Sequence, residues 1–133
     1  MWRLIGGMIA GAVVWFVVVT ILNLGLRYGW HDYAAVEKSL HFTLPMMVAR
    51  LTESGISSIA SGVIASLVGR NRFQSALGAG VILLLPFAYF HSQIWSMFPV
   101  WYHLTFLTSL VVLSILGARL VAPSAGTTGN AAT

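Results

Sequence analysis

The sequence contains no cysteine. That absence excludes disulfides, thiolate metal sites, CxxCH haem attachment and cysteine nucleophiles, and leaves the redox compartment open. Charge is nearly as scarce. Charged side chains make up 8% of the 133 residues, against about 25% in an average soluble domain, and a water-soluble fold so poor in charge would precipitate. Only three acidic residues, Asp32, Glu37 and Glu53, oppose seven basic ones, for a formal net charge of +4. No basic patch with interleaved aromatics is there to supply phosphate contacts, so the surplus does not indicate nucleic acid. The G-x-S-x-G elbow and the HxxxH and HExxH spacings are missing too, which removes the local signatures of a serine hydrolase and of a helix-borne metal site.

What is abundant is apolar: 58% of the chain is hydrophobic, in long blocks and not in the short alternating runs of a soluble core. Four blocks are long enough to cross a hydrocarbon core of about 30 Å at a rise of about 1.5 Å per residue. They run over about residues 4–24, 44–69, 76–98 and 101–121. The expected fold is an all-α integral membrane protein, an antiparallel bundle of four transmembrane helices, with one domain over residues 1–121. The remaining residues, 122–133, are small and polar after Pro123 and are expected to form a disordered tail. The segment from Gly25 to Thr43 is expected to carry a short interfacial helix capped by Asp32, with Trp30 and Tyr33 at headgroup level.

Orientation follows from Lys and Arg near the span ends. Arg3, Arg70, Arg72 and Arg119 fall on one side, and Arg27 and Lys38 fall on the other, offset by Asp32 and Glu37. The more basic side is expected to be cytoplasmic, with both termini inside.

The second span is the least hydrophobic and says most about packing. Ser54, Ser58, Gly62 and Ser66 recur at every fourth position, and Ser57, Ser61, Ala65 and Gly69 form the adjacent row. Small residues at this spacing let helix backbones approach in lipid. Gly7 and Gly11 on the first span, and Ala76 and Gly80 on the third, have the same character, so tight helix contacts and a membrane-protein partner or a homo-oligomer are expected. Arg50 and Glu53 share the face of Ser57 and are expected to point into protein and toward each other.

Depth counted along the helices places Glu53 about 12 Å and His91 about 10 Å below the outer surface. Arg50, Asn23 and His103 fall in the same outer half, so these five form a candidate polar layer. An ionisable side chain in a membrane span is expensive unless paired or hydrated, and it raises a functional question by default. The layer has two readings: a proton relay between Glu53 and His91, or a satisfied structural network in which Glu53 neutralises Arg50. Glu53, His91 and His103 would also make a two-histidine, one-carboxylate metal set, but no local spacing supports it, and no metal or cofactor is expected. Trp95, Trp101 and Tyr102 read as an interfacial belt, and Pro86 as a bend in the third helix.

The final stretch, "FPVWYHLTFLTSLVVLSILGARL", resembles the end of small four-helix bacterial inner-membrane proteins that carry no assigned activity. The resemblance covers mainly the last two spans, through Trp101, Tyr102, His103 and Gly117 to Leu120, and implies a location and a topology but no functional residues. Small multidrug transporters are also four-helix chains of this size, but their essential carboxylate lies in the first span, which here contains none.

The preferred expectation is a non-enzymatic accessory, assembly or structural protein of the membrane. The first alternative is a proton-coupled small transporter or channel subunit using Glu53 and His91. The second is a membrane redox protein binding haem, metal or quinone.

Overall fold

A computed structural model describes residues 1–121; the tail expected to be disordered lies outside the described residues. Helices α1 (Trp2–Gly29), α2 (His31–Val36), α3 (Leu44–Val68), α4 (Arg72–Gln93) and α5 (Val100–Leu120) follow in order, with a single 3-10 turn at Trp95–Met97 before α5. No strand occurs among the described residues. Four of the helices, α1, α3, α4 and α5, are long and apolar enough to cross a membrane.

Helix ends differ from the hydropathy boundaries wherever local chemistry outweighs hydropathy. α1 runs five residues past Leu24, because nothing in "GLRYG" stops a helix until Trp30 turns extended. α4 starts at Arg72, four residues ahead of the apolar run, because the Asn71 side chain caps it by accepting from the Gln74 amide at 3.0 Å. It stops at Gln93 instead of continuing to Phe98, and the 3-10 turn takes up the remainder. Pro86 lies within α4, which continues through it.

Three corrections concern the connection between α1 and α3 and the aromatics near it. Asp32 does not cap α2; Trp30 holds that position without a side-chain bond, and Asp32 sits in the first turn, where its charge favours the helix dipole. Tyr33 is fully buried, not part of a surface belt, because its hydroxyl finds partners inside. Tyr102 is buried as well. After α2 the chain reverses at Leu40, whose φ of 61° is a left-handed conformation that costs about 1 kcal/mol outside glycine. That cost is offset by amide bonds from Ser39 and Leu40 to the Val36 carbonyl at 3.1 and 3.0 Å.

Contacts between residues fix the helix directions. A side chain at Gly7 would meet Ala65 and Gly69, and one at Gly11 would meet Ser61, Ala65 and Ala79. The Trp15 indole donates to Ser58 Oγ at 3.0 Å, so rising numbers on α1 meet falling numbers on α3. Arg50 meets Tyr102 and Gly62 lies against Ser114, with Gly117 beside Ile59 and Val63, so α3 and α5 run the same way, while Gly80 against Leu110 and His91 against His103 set α4 opposite to α5. The least apolar helix, α3, has half its apolar window buried, against 22% for α1. Its two small-residue rows, Ser54 to Ser66 and Ser57 to Gly69, are almost wholly covered, because a helix with small side chains can be approached by neighbours on several sides. Ala12, Trp15, Leu83, Phe106 and Leu110 form the apolar core beside it.

Candidate functional site

The end of the molecule holding Asn23, Arg50 and His91 carries two separate polar assemblies. The larger begins at Glu37, on the turn after α2. Its carboxylate accepts from Arg27 Nε and Nη2 at 2.8 and 2.9 Å and from Asn23 Nδ2 at 2.9 Å. The two-pronged contact from Arg27 holds the Glu37 carboxyl below its ordinary value, and the Asn23 bond acts in the same sense. Asn23 accepts in turn from the Tyr33 hydroxyl at 2.7 Å. Burial pushes the Tyr33 phenol up, against the opposing charge of Arg50. Arg50 Nη1 donates to the Tyr33 oxygen at 2.8 Å and Arg50 Nε to the Tyr102 oxygen at 3.3 Å, and its guanidinium carbon lies 4.8 Å from the Phe42 ring centre. One chain of bonds therefore ties α1, the 30–43 connection, α3 and α5 together.

The smaller assembly is a histidine pair. His91 on α4 and His103 on α5 meet Nδ1 to Nδ1 at 2.7 Å, and His103 Nε2 lies 3.0 Å from the Trp95 carbonyl. A carbonyl only accepts, so His103 Nε2 carries a hydrogen. With His103 neutral its Nδ1 is the acceptor, and His91 Nδ1 donates. The Trp95 ring stacks on His103 at 4.5 Å between centres, and Phe106 stacks on His91 at 4.5 Å. The 3-10 turn that ended α4 early is what brings the Trp95 carbonyl to this position.

Glu53 belongs to neither assembly. It is 7% exposed, and among the described residues it forms no ion pair and its Oε1 has no hydrogen-bond partner. The expected pairing of Arg50 with Glu53 is therefore replaced by pairing of Arg50 with two phenols. Glu53 and His91 make no hydrogen bond either, so a direct proton exchange between them has no contact to run through. Glu53 instead lines a cavity of about 450 Å³ with Asn23, Arg50, Trp15, Phe87 and Phe106. A second, smaller cavity of about 40 Å³ is shared by Arg50 and His91.

The five polar-layer residues thus divide into Asn23 with Arg50, His91 with His103, and Glu53 alone. The small-residue set is distributed along helix contacts: Gly7 and Gly11 touch α3, and Gly62 touches α5. Ser58 and Ser66 donate back to carbonyls four residues earlier, at 2.8 and 2.7 Å, and Ser58 also accepts from Trp15 on α1. Ser54 Oγ has no partner among the described residues. Tyr33, Glu37, Arg27, Tyr102 and Trp15 were not among the expected site residues. Trp15 carried a signal, because a tryptophan midway along a span is out of place for an interfacial belt and needs a buried acceptor for its N–H.

Comparison of the chain with protein-family models, with curated proteins and with solved structures gives no match. Function must therefore be argued from the residues themselves.

Proposed function

We propose that this chain is a multi-pass protein of the bacterial inner membrane, an antiparallel bundle of four transmembrane helices with both termini cytoplasmic. Its role is that of an accessory, assembly or structural protein, working with a membrane-protein partner or with copies of itself. Long apolar helices support insertion, as do side chains left outward on them, among them Ile9, Val13 and Ile21 on α1, Leu85 on α4, and Leu104 and Val112 on α5. Arg72 Nη1 donating to the Val121 carbonyl at 3.0 Å and Gly7 against Gly69 gather the ends bearing Arg3, Arg70, Arg72 and Arg119, the basic cluster that the positive-inside rule assigns to the cytoplasm.

The observation that carries the accessory reading is how Arg50 is used. A guanidinium whose Nε and Nη1 are held by Tyr102 and Tyr33 braces the outer connection. Toward the other end, backbone contacts at Gly7, Gly11, Gly62 and Gly117 bring the helices together too closely for a polar route between them. A test is purification in a gentle detergent followed by native mass spectrometry. The expected result is a defined complex that persists in Glu53→Ala and His91→Ala. A proton or solute flux in proteoliposomes that both substitutions abolish would overturn it.

The second reading, a proton-coupled transporter or channel subunit, is favoured by one observation, the unpartnered Glu53 carboxyl. The redox reading gains less. The histidine contact engages both Nδ1 atoms and Nε2 of His103, which leaves Nε2 of His91 as the one uncommitted donor atom of the pair for an iron or other metal.

A further inference from the structure

We infer that the cavity around Glu53 is a binding site for a small hydrophobic organic ammonium ion, with the ammonium group at the Glu53 carboxylate and the apolar body against the rings of Trp15, Phe87 and Phe106. Three observations converge on it. The volume, about 450 Å³, falls within the roughly 300–1,000 Å³ of small-molecule sites. The lining is mainly apolar and aromatic, with Phe16 and Phe87 stacked at 6.0 Å and Trp15 and Phe87 at 4.9 Å between ring centres. Glu53 is more than nine-tenths buried, lines the cavity, and has a carboxyl oxygen that no donor of the described residues satisfies.

A buried acceptor left without a donor costs free energy, more so when it belongs to an ionisable group. A ligand bringing an N–H of positive charge recovers that cost and gains from the negative faces of the surrounding rings. The two arginines in the lining do not supply this. Arg27 is committed to Glu37, and Arg50 directs Nη1 and Nε to Tyr33 and Tyr102 with its plane near Phe42. Of the remaining polar groups of the wall, Asn23 and Glu37 are bonded to each other, and Thr20 and Ser54 bring only uncharged hydroxyls. This leaves Glu53 as the acidic group of the lining not already paired. The inference goes beyond the accessory role and does not depend on it, because the cavity lies within one chain.

The test uses the full chain in detergent micelles and two probes of nearly the same shape, naphthylmethylamine, protonated at neutral pH, and naphthylmethanol, which is uncharged. Binding is measured by isothermal titration calorimetry against matched micelles without protein. The amine is expected to bind at least about tenfold more tightly than the alcohol, a difference of about 1.4 kcal/mol. In Glu53→Gln, which keeps the shape of the side chain, the amine is expected to lose that advantage while the alcohol is unchanged. Phe87→Leu is expected to weaken both probes. Equal binding of amine and alcohol to the unmodified protein overturns the inference, as does no binding of the amine up to its solubility limit. Unaltered amine binding in Glu53→Gln overturns it as well. The comparison of probes needs no variant, so it decides even if a substitution prevents folding.

Discussion

The two ends of this molecule are held together by different physics. Toward the end with Arg3, Arg72 and Arg119, backbones touch: the contacts at Gly7, Gly62 and Gly117 are to backbone atoms of neighbouring helices, and those at Gly11 are to the Ser61 carbonyl and the methyl groups of Ala65 and Ala79. Toward the end with Asn23 and Arg50, the helices are joined through long polar and aromatic side chains, and a cavity opens between them. Close packing of small residues is non-directional and leaves no space. Hydrogen bonds through Tyr, Arg and Glu hold helices at a distance and leave room. Space for a ligand is therefore found where the contacts are directional.

The largest effect is expected from filling the close-packed end. In Gly62→Val the new side chain falls on the Ser114 backbone, which cannot move without displacing α5. A loss on the order of 3 kcal/mol or more is expected, read as a fall in the thermal unfolding midpoint in detergent. Gly6→Ala on α1, where nothing among the described residues lies within 4 Å, is the control and should leave that midpoint unchanged or slightly raised. If Gly62→Val matched the unmodified protein, the contrast between the two ends would be wrong.

Next comes the polar end. Arg50→Met removes the donor shared by Tyr33 and Tyr102 and should cost about 2 kcal/mol, with faster proteolysis between residues 31 and 43. Arg50→Lys should recover little of it, because an ammonium cannot span two phenols as a guanidinium fork does. Proteolysis at the unmodified rate would show that the connection is held by packing alone. Trp15→Phe, where the two regimes meet, keeps the ring packing and loses the bond to Ser58. It is expected to cost about 1 kcal/mol by the same thermal measurement.

The smallest effect concerns acid. Glu37 is held below its ordinary value of 4.5 by Arg27, so its contribution to stability is complete above that value and is lost as the pH falls through the lower folded value. An unfolding series from about pH 6 to about pH 3 should show a decline that Glu37→Gln lacks. The pair is half open to water, with Arg27 46% exposed, so the decline should be small and should shrink further in high salt. Identical acid profiles for the two proteins would remove Glu37 from the clamp.

The legibility of this chain was uneven in an instructive way. Hydropathy located four long helices, because the length needed to cross a bilayer and the scarcity of charge are properties of residues taken one at a time. The spacing of Ser54, Ser58, Gly62 and Ser66 marked α3 as the helix to be surrounded, because a period close to one helical turn puts those residues on one side. Arg50, Glu53 and His91 were visible as anomalies in apolar spans. Which partner each would take was not visible, since Tyr33 and Tyr102 lie 17 and 52 residues from Arg50 and nothing local distinguishes them from belt aromatics. Glu37 and Arg27 looked like counters for orientation, whereas folding the short connection back over α1 made them a clamp.

The sequence by itself determined how many long apolar helices there are, which one is poorest in bulk, and that ionisable groups occur within them, since composition and period are set by the chain alone. Only the tertiary structure decided that Arg50 pairs with phenols, that His91 meets His103, and that Glu53 faces a cavity with an oxygen to spare. Those outcomes depend on distances between helices, and the distances follow from backbones meeting at Gly62 and Gly11 while Trp15, Phe87 and Phe106 hold them apart.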